Sequence, residues 1–305
     1  MSGFSTIQPD PSQIGRLLKP AFALLPDPPL LFRQRAERFD ALAQEGAMAP
    51  YLRFLARLSG VQAELAAELP APEPIPAEQV ERARANGMLP LDRAALAADP
   101  ALRATIDRFL PAMEAVEMPR QASDALAWLR RTTPEMVEEM LGNIMADSIP
   151  FDALPAHLFL SAAVQVHAAR LAATLDAERL VPVETGLCPV CGGPPVSSMV
   201  VGRPGAEGTR YAACSCCGTQ WNEVRVKCLA CGSTKGVGYK SPEGEEATVK
   251  AETCDSCRSW VKILYQDRNP SLEPVADDVA SLGLDMMMGE TEYRRAGFDP
   301  FLLGY

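Results

Sequence analysis

The chain has 305 residues, 48% of them hydrophobic and 22% charged, with a formal net charge of −10. That length accommodates a self-sufficient core plus smaller units, and the composition is that of an ordinary globular protein. The acidic balance weighs against DNA or RNA as partner, since those require a basic face, and no apolar run reaches the roughly 18 residues of a membrane span. The opening MSGFSTIQPDPSQIGRLLKP has neither the basic start nor the apolar stretch of a secretory leader, so a cytoplasmic location is expected.

No cysteine precedes Cys188, and the segments before it are rich in Ala and Leu and separated by Pro. They predict an all-helical domain over 1–183. A first helix follows Pro28 and Pro29, with Phe32, Ala36, Phe39 and Ala43 on one face. A second, over 50–69, turns Leu55, Leu58 and Leu65 inward, and PAPEPIP at 70–76 reads as a stiff connection that cannot be helical. Further helices are expected over 78–86, 100–117, 122–131 and 134–146. The last starts with Thr133 as cap and Pro134 in its first turn, and carries Val137, Met140, Leu141 and Ile144 at core spacing. A helix over 156–178 places Leu160, Val164, His167, Leu171 and Leu175 on one stripe, where His167 is expected to be a hydrogen-bonded core residue rather than a ligand. His157 carries no signal of its own. The region has no phosphate loop, no G-x-S-x-G and no H-E-x-x-H, and residues such as Glu138 and Glu139 read as a solvated face, so no enzyme activity is expected.

All nine cysteines fall between Cys188 and Cys257, and eight of them form four C-x2-C pairs: CPVC, CSCC, CLAC and CDSC. The arrangement C-x2-C-x22-C-x2-C occurs twice, at an offset of 40 residues, and is an internal repeat. Two thiolates of one short turn can face a single centre, and two such turns supply four sulfurs for a tetrahedral ion. Units of this size bury little apolar surface, so bound metal should supply most of their folding free energy. The reading is two metal modules, 184–227 and 228–267, with Cys188, Cys191, Cys214 and Cys217 as one ligand set and Cys228, Cys231, Cys254 and Cys257 as the other. Pairing of alternate turns is the competing arrangement. A four-sulfur site suits iron or zinc alike. Gly192, Gly218 and Gly232 follow three of the turns, while Arg258 follows the last. Strands are expected at WNEVRV (221–226) and WVKILY (260–265), each with a Trp covering a sparse core. Cys216 has no counterpart at the 40-residue offset, where Ser256 stands, and reads as a spectator or as an exchanging ligand.

Residues 268–305 form a C-terminal helix and tail expected to pack back on the helical domain. VADDVASLGLDMMM reads as one helix with Val279, Leu282 and Met286 on one side, the Met286 to Met288 run being assigned to core packing, with an adaptable partner surface as the alternative.

The motifs CPVCGGPPVSSMV, RYAACSCCGTQWNEVRVKCLACG, VKAETCDSCRSWVKILYQD, EPVADDVASLGLD and EYRRAGFDPFLL together resemble the formate dehydrogenase accessory proteins, the FdhE family. The resemblance runs from about 187 to 303. It implies a helical N-terminal domain, two tandem rubredoxin-like or zinc-ribbon-like metal modules and a C-terminal helix. It also implies a cytoplasmic chaperone for assembly of a molybdenum-dependent formate dehydrogenase, whose catalytic subunit is bound before export, with two metal ions, iron or zinc. The alternatives are a rubredoxin-like redox carrier for the same client and a zinc-ribbon nucleic-acid binder, which the charge balance disfavours. Oligomeric state is not legible in the sequence.

Overall fold

The structure, a computed structural model, describes residues 20–203, 205–242 and 247–302. The start of the chain, which reads as lacking a leader, and the last three residues of the apolar C-terminal segment lie outside them. A two-residue strand, β1 (Ala23–Leu24), precedes eight helices: α1 (Pro28–Leu42), α2 (Ala49–Glu68), α3 (Ala77–Asn86), α4 (Arg93–Ala97), α5 (Pro100–Met113), α6 (Arg120–Leu129), α7 (Pro134–Met145) and α8 (Leu154–Ala172). Local chemistry sets several starts. Asp27, Asp99 and Thr133 each accept a hydrogen bond from a first-turn N–H of α1, α5 and α7, and each of these helices has Pro in its first turn. Five-residue α4, too short to show a period, has no expected counterpart in the sequence reading. Among the described residues no helix is long and apolar enough to cross a membrane.

Helix α8 differs from the expected one-striped helix because residues 156–172 are buried all round. It packs against α1, α2, α5, α6 and α7, which together leave it no solvated face. Its buried polar groups therefore need partners. His167 meets Asp99 Oδ2 through Nε2 at 3.1 Å, and His157 Nδ1 lies 2.8 Å from the Ala153 carbonyl, so both histidines are core hydrogen-bonding residues. Arg170 donates to the carbonyls of Leu69 (2.8 Å) and Pro70, tying down the non-helical start of the proline-rich connection.

Strands β2 (Pro195–Val200), β3 (Arg210–Cys214) and β4 (Gln220–Glu223) form an antiparallel meander, and β5 (Val237–Lys240), β6 (Val249–Cys254) and β7 (Ser259–Tyr265) repeat it. The repeats share one sheet. β2 runs parallel to β7, with Ser198 opposite Ile263 and Val200 opposite Tyr265, which gives the order β1-β4-β3-β2-β7-β6-β5. The helical region contributes the edge, since Ala23 of β1 pairs with Trp221. β4 ends at Glu223, short of the expected 226, because the chain there leaves the sheet toward the next cysteine turn, held by Arg210 Nη1 donating to the Lys227 carbonyl at 2.9 Å.

The expected C-terminal helix is two helices, α9 (Pro274–Ala280) and α10 (Leu282–Gly289), broken at Ser281, whose hydroxyl donates to the Asp277 carbonyl at 2.6 Å. The break resets the inner face: Leu284, Asp285 and Met288 are buried, whereas Met286, assigned inward from one continuous helix, is 56% exposed, as is its neighbour Met287 at 49%. Helix α9 is fastened to α1 by Arg35–Glu273 at 3.1 Å and by Arg38 Nη2–Asp277 Oδ1 at 2.7 Å, while fully buried Lys262 of β7 sits between Asp278 and Asp285. Such buried charges are tolerated only because each is paired. β8 (Arg294–Arg295) then pairs with the start of β7, Phe298 N–H donates to the Pro195 carbonyl (3.0 Å), and buried Phe301 accepts from Tyr51 Oη at 2.6 Å through its carbonyl. Residues 294–301 thus run from the second repeat, past the first, into the helical core.

Candidate metal centres

Three of the four C-x2-C turns are closed alike by their own backbone. The N–H groups of Gly192, Gly232 and Arg258 each donate to the carbonyl of the first cysteine of the turn, Cys188, Cys228 and Cys254, at 2.9 Å. The residue after the second cysteine has positive φ in all four turns: 71° at Gly192, 71° at Gly218, 75° at Gly232 and 54° at Arg258. Glycine adopts this region freely and arginine does so at a cost of about 1–2 kcal/mol. Further backbone N–H groups aim at sulfur. Cys216 and Cys217 donate to Cys214 Sγ at 3.4 and 3.5 Å, and Ala230 donates to Cys228 Sγ at 3.3 Å.

The turns meet in consecutive order. Cys188, Cys191, Cys214 and Cys217 form one group and Cys228, Cys231, Cys254 and Cys257 the other, with all sulfurs of a group within 4.8 Å of one another. Sulfur–sulfur distances are 3.6 Å for Cys188–Cys217, 3.5 Å for Cys191–Cys214, 3.6 Å for Cys228–Cys257 and 3.8 Å for Cys231–Cys254. A tetrahedral ion with metal–sulfur bonds of about 2.3 Å separates its ligands by about 3.8 Å. The donor sets therefore fit such an ion, and no disulfide competes for them, since all nine cysteines are free. Cys216 stands outside the first group of four, buried beside Arg93, Ser161 and Gln165.

Electrostatics also favour a cation. In the first group, hydrogen bonds from Cys188, Cys214, Cys216 and Cys217 hold the Cys191 thiol well below its ordinary range. Burial drives Cys188 and Cys217 well above it. In the second, burial pushes Cys228 up to about 12, while Cys257 falls to about 7 because hydrogen bonds from Ser259 and Cys231 outweigh burial. Cys191 and Cys257 thus ionise readily, while burial keeps Cys188, Cys217 and Cys228 protonated until a cation takes the proton's place.

The two groups differ in what surrounds them. The helical region grips the first directly: Leu91 N–H donates to the Val190 carbonyl (3.0 Å), and Gln165 Nε2 of α8 donates to the Ser215 carbonyl at 2.8 Å. Gln165 Oε1 in turn accepts from Arg35 (3.2 Å) and Gln62 (3.1 Å). Leu89 and Leu31 press on the glycines after the two turns; a Cβ added at Gly192 or Gly218 would lie 2.5 Å from a leucine methyl. All four sulfur-bearing residues are buried. Around the second group, Cys231 is exposed and Cys257 half-buried; Leu229 reaches the core, against Gly186, and the other neighbours include Thr185 beside Gly232 and the exposed pair Arg258–Glu292. The spacing of the cysteines reveals both groups, and a glycine after three turns marks their tightness. Nothing in the sequence marks Leu31, Leu89, Leu91, Arg35 or Gln165 as supports, because their partners are distant in the chain.

Comparison with known proteins extends this picture along the chain. Family models described as FdhE, N-terminal; FdhE, central domain; and FdhE, C-terminal domain match residues 20–185, 187–225 and 226–302 in turn. The protein FdhE homolog of Rhizobium meliloti (strain 1021) is 60% identical over 303 residues, 99% of each chain. Protein FdhE of Escherichia coli (strain K12) is 35% identical over 291 residues, 90% of this chain and 91% of that one. The crystal structure of the FdhE protein from Pseudomonas aeruginosa superposes with a TM-score of 0.81 at 32% identity, covering 93% of this chain and 99% of that one. With sequence, domain order and three-dimensional architecture in agreement, the chain belongs to the FdhE family.

Proposed function

We propose that this protein is a cytoplasmic accessory factor, a chaperone rather than an enzyme, for assembly of a respiratory molybdenum-dependent formate dehydrogenase. In this reading it binds the catalytic subunit before export. Cys188, Cys191, Cys214 and Cys217 hold one metal ion, iron or zinc, and Cys228, Cys231, Cys254 and Cys257 hold a second. The observation that carries the proposal is the FdhE match over 20–302 together with two four-sulfur groups of tetrahedral dimensions. The ions supply structural cross-links between turns that have little apolar core of their own, and the chain's residues orient the sulfurs through the backbone donors described above. Purification of the tagged protein from anaerobically grown cells should bring down the formate dehydrogenase catalytic subunit. A variant with Cys188→Ser and Cys191→Ser should lose it. Absence of that subunit, or recovery of nucleic acid in its place, refutes the proposal.

The exposure of Cys231 favours a second reading, in which a rubredoxin-like iron exchanges electrons with the same client. A visible spectrum that bleaches and returns on reduction and reoxidation supports it; colourless protein from the same cells excludes it.

A further inference from the structure

The two sulfur groups repeat one another in spacing, in the backbone bond that closes the first turn of each, and in sulfur distances, so their ligand sets are alike. Access separates them. Loss of a metal from four thiolates proceeds stepwise, and at each step a proton, a chelator or water must reach a sulfur or the ion itself. In the first group every ligand residue is buried, at 2% exposure or less. Its turns are pinned from outside by Leu89, Leu31, the Leu91 N–H and Gln165. Dissociation there requires the sheet and the helical region to part. In the second group Cys231 is exposed and Cys257 half-buried, with only Cys228 and Cys254 buried. Its Cys228–Cys231 turn rests on the core through buried Leu229, against Gly186, but around Cys231 and the Cys254–Cys257 turn the contacts lie on exposed or half-buried residues: Arg258 with Glu292 and Asp255, Tyr293 Oη with Asp255, and the Ser233–Ser256 hydroxyl pair. Interactions of this kind hold a turn weakly.

We infer that the second group is the protein's metal-exchange site, where a thiophilic divalent cation enters and leaves across Cys231 and Cys257, while the first group keeps its ion for as long as the chain stays folded. This rests on the reading above that both groups bind metal. On departure of the ion the cysteines stay at the thiol or thiolate oxidation level, so exchange at the second group neither oxidises nor reduces the protein. It changes the order of the Cys254–Cys257 turn, to which β8 is attached through the Arg294 N–H and the Arg258 carbonyl at 2.7 Å.

The test uses full-length protein loaded with zinc, one ion per group, mixed with excess EDTA and N-ethylmaleimide. Zinc release is followed in time and modified cysteines are mapped by mass spectrometry. One zinc should leave about 10- to 100-fold faster than the other, the range that supporting contacts outside the ligand shell contribute to metal affinity elsewhere. Cys231 and Cys257 should be modified first, with Cys188, Cys191, Cys214 and Cys217 untouched and the helical circular dichroism unchanged. The double variant Cys231→Ser, Cys257→Ser should lose the fast phase and keep the slow one. Release of both ions in one phase, or early modification of any of the first four cysteines, overturns the inference while leaving two-site binding intact. A chain that takes up no zinc and no iron refutes the underlying reading as well.

Discussion

The first cysteine group and the second occupy equivalent places in a duplicated meander, yet one is wrapped by helices and the other opens to solvent. The difference comes from the sheet order. Because β2 and β7 pair at the centre, the first repeat lies toward β1 and the helices, while the second ends in β5 at the far edge. An identical motif therefore becomes a keystone in one place and a peripheral clasp in the other. Environment rather than ligand identity separates them.

The comparison breaks most directly if both groups matter equally to folding. On the proposed function, replacing Cys188 and Cys191 by Ser removes two ligands of an ion on which the helical core would also rest. Structural zinc in small domains contributes about 10–16 kcal/mol, as much as the whole stability of a typical domain, about 5–15 kcal/mol, so this variant should lose its cooperative melt by circular dichroism. Replacing Cys228 and Cys231 should leave the helical melt in place. Equal collapse of both would sink the distinction.

A milder probe adds a methyl group. Gly218→Ala meets a leucine methyl of Leu31 at 2.5 Å in a left-handed conformation, and overpacking of about 1–3 kcal/mol adds to a backbone cost of about 1 kcal/mol. At Gly232 the nearest atom is Thr185 Oγ1 at 3.3 Å, leaving mainly the backbone cost, about 1 kcal/mol. Urea unfolding of the two variants should differ accordingly.

Smaller again is a pH effect confined to the helical side. Burial lowers the pKa of His167 despite the neighbouring Asp99 carboxylate, and burial lowers that of His157 despite the Ala153 carbonyl. The unfolded chain then binds protons that the folded chain refuses, so stability is lost as pH falls below about 6.5, and the loss levels off below the depressed folded values. His167→Gln should flatten the decline between pH 7 and pH 5.5 in denaturant titrations. The smallest expected change is at Arg258→Gly. Relief of the left-handed arginine is offset by loss of the exposed Glu292 pair and by the greater entropy of unfolded glycine, giving less than about 1 kcal/mol either way.

The same contrast explains what was legible in the sequence. The four cysteine turns were legible because spacing is local. So were the starts of α1, α5 and α7, where Pro and a capping side chain sit within one turn. The parallel β2–β7 pairing and the β1 edge join residues far apart and carry no short-range pattern, as does the placing of Lys262 between Asp278 and Asp285. Helix α8 was legible as a helix but not as the centre of the bundle, because the sequence gives its period and not what lies behind its polar residues. Met286 faces solvent rather than the core because the break at Ser281, which no local sequence period marks, resets the helix face.

The run of residues 294–301 along both repeats has a consequence for how the protein is made. Both cysteine pairs of each repeat leave the ribosome before this segment does, and the helical region, emerging first, can collapse by then. A nascent chain therefore has sulfurs ready for metal but lacks the Phe298–Pro195 hydrogen bond and the Phe301 plug that lock the repeats onto the helices. Closure of the sheet onto the helices waits for residues 294–301, so a chain that stalls or is cut before Arg294 is distinguishable by the looseness of its sheet.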